Sequence, residues 1–221
     1  MANRTHHGTR VAVLGLGRFG SSLGRELTQR GWEVLGIDRD ERIVQDLSDE
    51  LTHVASADTT DIEALRQLGV GEFRRAVVGI GGLEASILTT SLLVDLGVSN
   101  IWAKAVSQRH ARILERVGAH HVTQPEHDMG HRVAHLVTGR MLDYIPFEDD
   151  FAFVKTRAPM EIVGRSLGES RIRDRYGVTV VSLKHPGESF DYATHHTVVQ
   201  EGDLLIVAGK SDKAEHFANL T

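Results

Sequence analysis

Cysteine is absent from the 221-residue sequence, so neither disulfide bonds nor thiol chemistry is available to this chain. Apolar runs are short, and none approaches the ~18 residues that a membrane-spanning helix requires. The polar beginning, MANRTHHGTR, lacks the apolar core of a secretory signal. Basic residues are not in excess, and the net charge of -5 argues against a nucleic-acid partner. We therefore expect a cytoplasmic protein that neither inserts directly into a membrane nor binds nucleic acid.

The sequence does contain enough apolar material for a packed core, with 41% hydrophobic residues. After residues 1–9, which we expect to form a flexible tail, short apolar runs alternate with amphipathic stretches. This alternation predicts strands at 11–14, 33–37, 52–56, 76–80, 101–105 and 121–123, and helices that include 43–51, 62–68, 83–96 and 108–117. Such an order is typical of a parallel sheet covered on both faces. The predicted fold class is α/β, with a Rossmann-like doubly wound sheet over residues 10–125.

The first predicted strand leads directly into a glycine-rich turn, and an amphipathic helix follows. The turn has the pattern G-x-G-x-x-G: Gly15, Leu16, Gly17, Arg18, Phe19 and Gly20. Its first glycine permits a tight turn, its second lets the backbone approach a pyrophosphate, and its third lets helix and strand pack closely. The phosphates would bind to unpaired N–H groups at the positive end of the helix. These six residues are therefore predicted to bind a nucleotide cofactor.

Asp38 ends the second predicted strand, about 20 residues after the glycines, where a ribose-binding acid belongs. Its carboxylate would accept hydrogen bonds from the ribose hydroxyls and repel a 2′-phosphate. Arg39 stands beside it at the same site and weakens that exclusion of a 2′-phosphate. The alternative is that Asp38 only caps the helix that begins near Asp40.

The remainder of the chain is predicted to have a different organisation. Residues 126–143 have the pattern of one more helix with an apolar stripe, and 144–150, with Pro146 and three acids, indicate a hinge. The segment 126–150 is thus interpreted as a crossover helix and hinge. Residues 151–221 form a smaller α+β lobe with strands at 151–156, 178–184 and 203–208 and helices at 166–173 and 211–220.

Four stretches together carry a resemblance to a known family: GLGRFG, ADTTD, LTTSLLVDLGVSNIWAKA and PEHDMG. They are similar to the RCK proteins (regulators of potassium conductance), most of all to the cytosolic KtrA/TrkA-type subunits of bacterial potassium uptake systems. The likeness extends over residues 11–220. It implies a homo-oligomer, from a dimer to an octameric ring, docked on a membrane potassium channel subunit. In such rings ATP favours the conducting state and ADP the closed state.

The resemblance also implies roles for single residues. Arg18 would reach the terminal phosphate of a nucleotide, including one held by a neighbouring protomer, and its planar fork suits phosphate oxygens. Asp58 and Thr59 would contact the adenine, although Asp58 also fits an ordinary helix cap. Glu126, at the start of the crossover helix, would help to hold a divalent cation, Mg or Ca, near the γ-phosphate. An acid in a first helical turn is stabilising even without a metal.

Other basic residues leave two interpretations open. Lys104 ends the fifth predicted strand, where it would contact phosphate or an acid, or extend into solvent. In the smaller lobe, a basic group would bind cyclic di-AMP in similar subunits, or would form a solvated face: Arg171, Arg173, Arg175 and His185. The remaining histidines are interpreted as scattered surface residues.

Two further functions compete with an ATP/ADP-dependent gating subunit. The first keeps the ring but makes it a sensor of NAD/NADH, because Asp38 suits any unmodified ribose. The second is a small NAD-dependent oxidoreductase, for which the smaller lobe is too short to cover a nicotinamide and no catalytic constellation is legible. We therefore predict a binding and regulatory protein rather than an enzyme.

Overall fold

The computed structural model describes residues 9–220, apart from the side chain of Thr138, so the predicted tail lies almost wholly outside the described residues. The chain divides into two compact units, with the division after Glu126. The first unit is a six-stranded sheet in the order β3-β2-β1-β4-β5-β6, and its strand pairings are parallel. Its strands are β1 (Arg10–Leu14), β2 (Glu33–Asp38), β3 (His53–Ser56), β4 (Arg75–Val78), β5 (Asn100–Lys104) and β6 (His121–Thr123).

Helices lie on both faces of this sheet, because alternate strand residues point to opposite sides. Val11 and Val13 of β1 pack in a cluster with the first two helices, whereas Ala12 and Leu14 join the cluster on the other face. The helices are α1 (Arg18–Gln29), α2 (Glu41–Asp46), α3 (Ile62–Gln67), α4 (Leu83–Asp95) and α5 (Gln108–Val117). The predicted Rossmann-like doubly wound sheet is thereby confirmed.

Some predicted boundaries in this unit differ from the structure. The second helix begins at Glu41, next to Asp40 as predicted, because Asp40 caps it by accepting the Arg42 amide at 3.0 Å, but it ends at Asp46 rather than at 51. The fourth strand ends at Val78 rather than at 80. There the Gly79 amide donates to the carbonyl of Leu14 at 2.7 Å, and the chain then leaves the sheet.

The second unit is built on a five-stranded sheet in the order β10-β9-β11-β8-β7, and its pairings are antiparallel. Helix α6 (Pro125–Thr138) leads into it. The other elements are β7 (Asp143–Phe147), β8 (Phe151–Arg157), α7 (Leu167–Ser170), α8 (Ile172–Tyr176), β9 (Val178–Lys184), β10 (Asp191–Tyr192), β11 (Leu204–Lys210) and α9 (Ser211–Ala218). Ile162, Leu205 and Phe217 are fully buried in its core.

The segment predicted as a hinge is largely a strand. β7 pairs with β8 in a hairpin, with Tyr144 opposite Val154, and Tyr144 is buried. Pro146 is compatible with this strand because β7 lies at the sheet edge, where a missing N–H is tolerated. The helix before it ends at 138 rather than at 143, since Asp143 already belongs to the hairpin.

The predicted helix at 166–173 is two short helices instead of one. Arg171 separates α7 from α8 with a φ of 46°, a left-handed conformation that a continuous helix does not contain. The two-residue strand β10 has no counterpart in the sequence prediction. Within residues 9–220, no helix is long and apolar enough to cross a lipid bilayer.

Candidate functional site

The turn between β1 and α1 is held by close backbone contacts. Gly15 has a φ of 90°, and a Cβ there would lie 2.7 Å from Cγ1 of Ile80. A Cβ on Gly20 would overlap the carbonyl oxygen of Gly15, so the start of α1 rests directly on the turn. At Gly17, by contrast, a Cβ would meet no atom of the described residues within 4 Å. The first and third glycines therefore shape the turn, and the second leaves its outer side open.

This open side is the N-terminus of α1. Gly17 is the N-cap residue, and within the described part of the chain no side chain caps the helix and no acidic residue lies in its first turn. The first amides of a helix have no carbonyl partner within it and carry a partial positive charge. The geometry therefore suits an anion such as a pyrophosphate.

Asp38 ends β2 beside this turn. Its carboxylate accepts the amide of Leu16 at 2.7 Å and the amide of Asp40 at 3.0 Å, one on each oxygen. Each oxygen of a carboxylate has capacity for a further hydrogen bond. The helix cap is Asp40, so Asp38 fastens the glycine turn to β2 and still lines the cavity described next.

A cavity of about 480 Å³ lies at the carboxyl ends of β1–β4. Six predicted site residues line it: Gly15, Gly17, Asp38, Arg39, Asp58 and Thr59. The turn after β4 supplies much of the opposite wall, with residues 79–85. These wall residues were not predicted from the sequence, although it contains a signal for them: Gly79-Ile80-Gly81-Gly82 directly follows a strand.

Asp58 does not cap a helix, because Asp61 caps α3 by accepting the amide of Glu63 at 2.9 Å. The Asp58 carboxylate instead accepts the hydroxyl of Thr60 at 2.7 Å and its amide at 2.8 Å. These hydrogen bonds, together with the charge of Arg39, hold the pKa of Asp58 below its usual value. The turn after β3 therefore presents an ionised carboxylate to the cavity.

Leu16 and Phe19 contribute to the turn through their backbones. The Leu16 side chain is fully buried, and the Phe19 ring packs with the apolar cluster under α1. Neither lines the cavity, to which the glycine turn contributes Gly15 and Gly17. Arg18 and Lys104 are likewise outside the cavity wall.

Arg18, Lys104 and Glu126 form a second charged group in the first unit. The Lys104 amine lies 2.5 Å from Oε1 of Glu126, and its side chain is 12% exposed against 61% for Glu126. The Lys104 hydrogen bond, the backbone and the charge of Arg18 together keep the pKa of Glu126 below its ordinary value. The group thus brings two cations and one carboxylate together.

The described residues contain no group of three or more His, Asp or Glu side chains that could hold a metal ion. Glu126 is thus a single carboxylate, and a nucleotide phosphate would have to supply further ligands. Such sharing fits Mg²⁺, which is often bound by one or two carboxylates together with phosphate oxygens.

The four basic residues that the resemblance assigns to cyclic di-AMP divide into two pairs. Arg171 and Arg173 line a cavity of about 380 Å³ with Thr179 and Thr194. Arg175 is bound to Glu161 at 3.0 Å, and His185 lies 2.7 Å from the buried carboxylate of Asp203. The structure therefore brings together two of the four residues predicted for cyclic di-AMP.

Three histidines of α6 are not scattered, contrary to the sequence analysis. His127, His131 and His135 recur every fourth residue, which places them on one helical face. Neighbouring ring centroids lie 6.4 and 4.8 Å apart. His135 also stacks on Tyr144 with a centroid distance of 4.1 Å. The four-residue spacing was the signal for this stripe.

Two family models match the chain: the TrkA-N domain over residues 11–125 and the TrkA-C domain over residues 154–221. The chain belongs to the TrkA family of RCK proteins. Within this family it is 35% identical to the Ktr system potassium uptake protein A of Bacillus subtilis (strain 168), over 94% of this chain and 95% of that protein. It is 36% identical to the Ktr system potassium uptake protein C of the same organism, over 93% and 94%. The resemblance to KtrA-type RCK subunits is thereby confirmed.

A solved structure shares the fold at low sequence identity. The GsuK channel bound to NAD matches with a TM-score of 0.66 and 19% identity, over 98% of this chain and 40% of that chain. This TrkA-family chain therefore corresponds to less than half of that channel, and the likeness shows the architecture alone.

Proposed function

We propose that this protein is the nucleotide-binding regulatory subunit of a Ktr-type potassium uptake system. The observation that carries the proposal is one cavity in which an uncapped helix N-terminus, a ribose-type carboxylate at Asp38 and the turn after β3 face the same space. Relatives that share about a third of the sequence over nearly its whole length are potassium uptake proteins. We propose regulation rather than catalysis as the role of the site.

The ligand that we propose is an adenine nucleotide lying across the strand ends. Its phosphates would bind at the α1 N-terminus, outside Gly17, and its ribose hydroxyls would donate to Asp38. The base would lie beyond the ribose, against Asp58 and Thr59. This order follows the strands from β1 through β2 to β3, and the cavity wall runs in the same order.

Discrimination between ATP and ADP is assigned to the charged group of Arg18, Lys104 and Glu126. An additional phosphate would attract the two cations, and a divalent cation would bridge that phosphate to Glu126. A ligand shifts a conformational equilibrium only if it binds the two states with different affinity. The terminal phosphate supplies such a difference, and we propose that ATP favours the conducting ring and ADP the closed one.

The subunit is proposed to act as a homo-oligomer, from a dimer to an octameric ring. Val133 and Val137 of α6 are 44% and 79% exposed, and Trp102 on β5 is 43% exposed. Exposed apolar side chains on an element fit an interface with further copies. The ring would dock on a membrane potassium channel subunit, at the cytoplasmic face of the membrane.

Cyclic di-AMP is proposed as a second ligand, in the cavity beside Arg171 and Arg173. Two guanidinium groups that face one cavity can bind phosphates bidentately. Arg171 also pairs with Asp174 at 3.0 Å, so a phosphate would compete with that carboxylate.

NAD or NADH is the second candidate for the first site. Asp38 suits any ribose with a free 2′-hydroxyl, and the channel of the same fold is known with NAD bound. A small oxidoreductase is the least favoured function. The described residues of the second unit form an antiparallel sheet, and we assign no catalytic group to them.

Thermal unfolding with ATP, ADP, NAD and NADH tests the proposal, since a ligand that binds the native state raises the melting temperature. We expect ATP and ADP to stabilise the protein more than NAD and NADH, and the Asp38→Ala variant to lose most of that stabilisation. Stronger protection by NADH would favour the NAD(H) sensor. Equal melting temperatures with and without each of the four compounds would refute a nucleotide-binding function.

A further inference from the structure

Helix α4 carries three fully buried hydroxyl groups between the sheet and α5. Ser86, Thr89 and Thr90 are each 0% exposed. A buried hydroxyl is costly unless it is hydrogen-bonded, and each of the three has a partner. The partners differ: one hydroxyl is bonded only within α4, whereas another is bonded to a residue that lines the cavity.

Thr90 is satisfied within its own helix, because its hydroxyl donates to the carbonyl of Ser86 at 2.7 Å. Thr89 reaches out of the helix. Its hydroxyl donates to the carbonyl oxygen of Thr59 at 3.1 Å and lies 3.0 Å from the Thr59 hydroxyl. Adjacent residues of equal burial therefore bind different parts of the chain.

The helix that carries Thr89 is itself fastened to α5. His110 accepts the Val106 amide on Nδ1 at 3.2 Å, so the hydrogen of its neutral ring is on Nε2. That Nε2 lies 2.8 Å from the hydroxyl of Ser86, which donates to the carbonyl of Leu83 at 3.0 Å. Because α4 is held one turn before Thr89, Thr89 is a fixed anchor for the turn that it binds.

We propose that Thr89 is a positioning residue for the base end of the nucleotide site, acting through Thr59. Thr59 lines the cavity and is only 8% exposed, whereas Thr89 is beneath it. The neighbouring Asp58 carboxylate accepts hydrogen bonds from Thr60, within the same turn, and these bonds do not fix the turn against α4. This inference rests on the proposed nucleotide-binding function and adds a residue of α4 to the site.

The experiment compares three variants, Thr89→Val, Thr89→Ser and Thr90→Val, by calorimetric titration with ADP well below the melting temperature. Valine keeps the shape of threonine and removes the hydroxyl, whereas serine keeps the hydroxyl. We expect Thr89→Val to weaken ADP binding about fivefold to tenfold, as loss of one hydrogen bond predicts. Thr89→Ser should bind within about twofold of the unmodified protein, and so should Thr90→Val, whose hydroxyl serves only α4.

Hydrogen exchange of residues 57–61 in the absence of nucleotide gives a second, independent readout. Thr89→Val should accelerate exchange in this segment, and Thr90→Val should leave its exchange unchanged. Equal ADP affinities for Thr89→Val and Thr90→Val, or unchanged exchange in Thr89→Val, would overturn the positioning role. Failure of the unmodified protein to bind ADP would instead overturn the proposed function, which the same titration reveals separately.

Discussion

At the residue scale, the charged group of Arg18, Lys104 and Glu126 differs from the residues that line the cavity, both in its position and in the contacts that hold it. Asp38 and Thr59 line the cavity and are fixed by hydrogen bonds to the backbone or to Thr89. The charged group lies outside that wall, and its carboxylate is the more exposed member of its ion pair. The Glu126 side chain is 61% exposed, so a ligand can reach this carboxylate from solvent.

Arg18→Ala should remove the preference for ATP and leave ADP affinity within about twofold. A guanidinium that contacts the terminal phosphate contributes a charge-assisted hydrogen bond, so ATP affinity should fall about tenfold or more. Titration of both nucleotides measures the difference. Arg30→Ala is the matched control, because Arg30 follows the same helix and pairs with Glu26 at 2.7 Å. Equal losses of ATP and ADP would remove Arg18 from this role.

His110 should make stability depend on pH. Burial lowers the pKa of His110 below its ordinary value of 6.5, because the charged ring is costly to desolvate. The unfolded chain regains the ordinary pKa and therefore binds the proton first as the pH falls, so stability decreases from about pH 6.5 downward. Melting temperatures from pH 8 to pH 5 should fall more steeply for the unmodified protein than for His110→Gln. Parallel curves for the two proteins would contradict this prediction.

At the element scale, the packing of α1 on β1 determines the form of the proposed phosphate site. Gly20 touches the backbone of Gly15, and a Cβ on Gly79 would lie 2.7 Å from the same Gly15 carbonyl oxygen. Strand, turn and helix thus meet through three glycines without side chains between them. The α1 amides are thereby directed to the space above Gly17.

Gly20→Ala and Gly17→Ala should separate stability from binding. The added methyl group at Gly20 overlaps backbone, so unfolding free energy should fall by about 1–3 kcal/mol, or more if the helix shifts. At Gly17 the methyl group enters open space, so stability should change little while nucleotide affinity falls. Chemical denaturation and ADP titration measure the two effects. Loss of stability in Gly17→Ala equal to that in Gly20→Ala would contradict the geometry.

At the scale of the whole molecule, two units with different sheets share one chain. The parallel sheet of the first unit brings the residues that we propose for nucleotide binding to one edge, as parallel strands do. In the second unit Arg171, which precedes α8, and Arg173, within α8, line a separate cavity. A subunit with both proposed sites would need oligomeric contacts to transmit either ligand, and α6 offers exposed apolar residues for them.

Val137→Glu should reduce oligomerisation without unfolding the chain, because its side chain is 79% exposed. A carboxylate introduced into an apolar interface costs desolvation energy, so the population should shift toward smaller species. Light scattering with ATP present measures the mass. His131→Glu is the control, since it adds the same charge on another face of α6. A mass distribution unchanged in Val137→Glu would exclude this face as an interface.

Local patterns were sufficient to predict most elements of the first unit. They failed where contacts between residues distant in the sequence determine the secondary structure. Helix α5 and strand β6 have the predicted bounds, because capping and apolar spacing are local. β7 was mistaken for a hinge because its acids and Pro146 are typical of a loop, and only pairing with β8 makes it a strand. The tie from Thr89 to Thr59 spans 30 residues, and no local pattern reveals it.

The sequence alone determined the parallel α/β fold, the glycine turn and the family, because each depends on periodicity or on residues adjacent in the chain. Tertiary structure decided which side chains share the cavity, that Leu16 and Phe19 face the core, and that Glu126 is bound by Lys104. These outcomes depend on which strand ends lie side by side and which hydroxyls are buried together. Proximity of that kind is a property of the folded chain, since it arises only when the sheet forms.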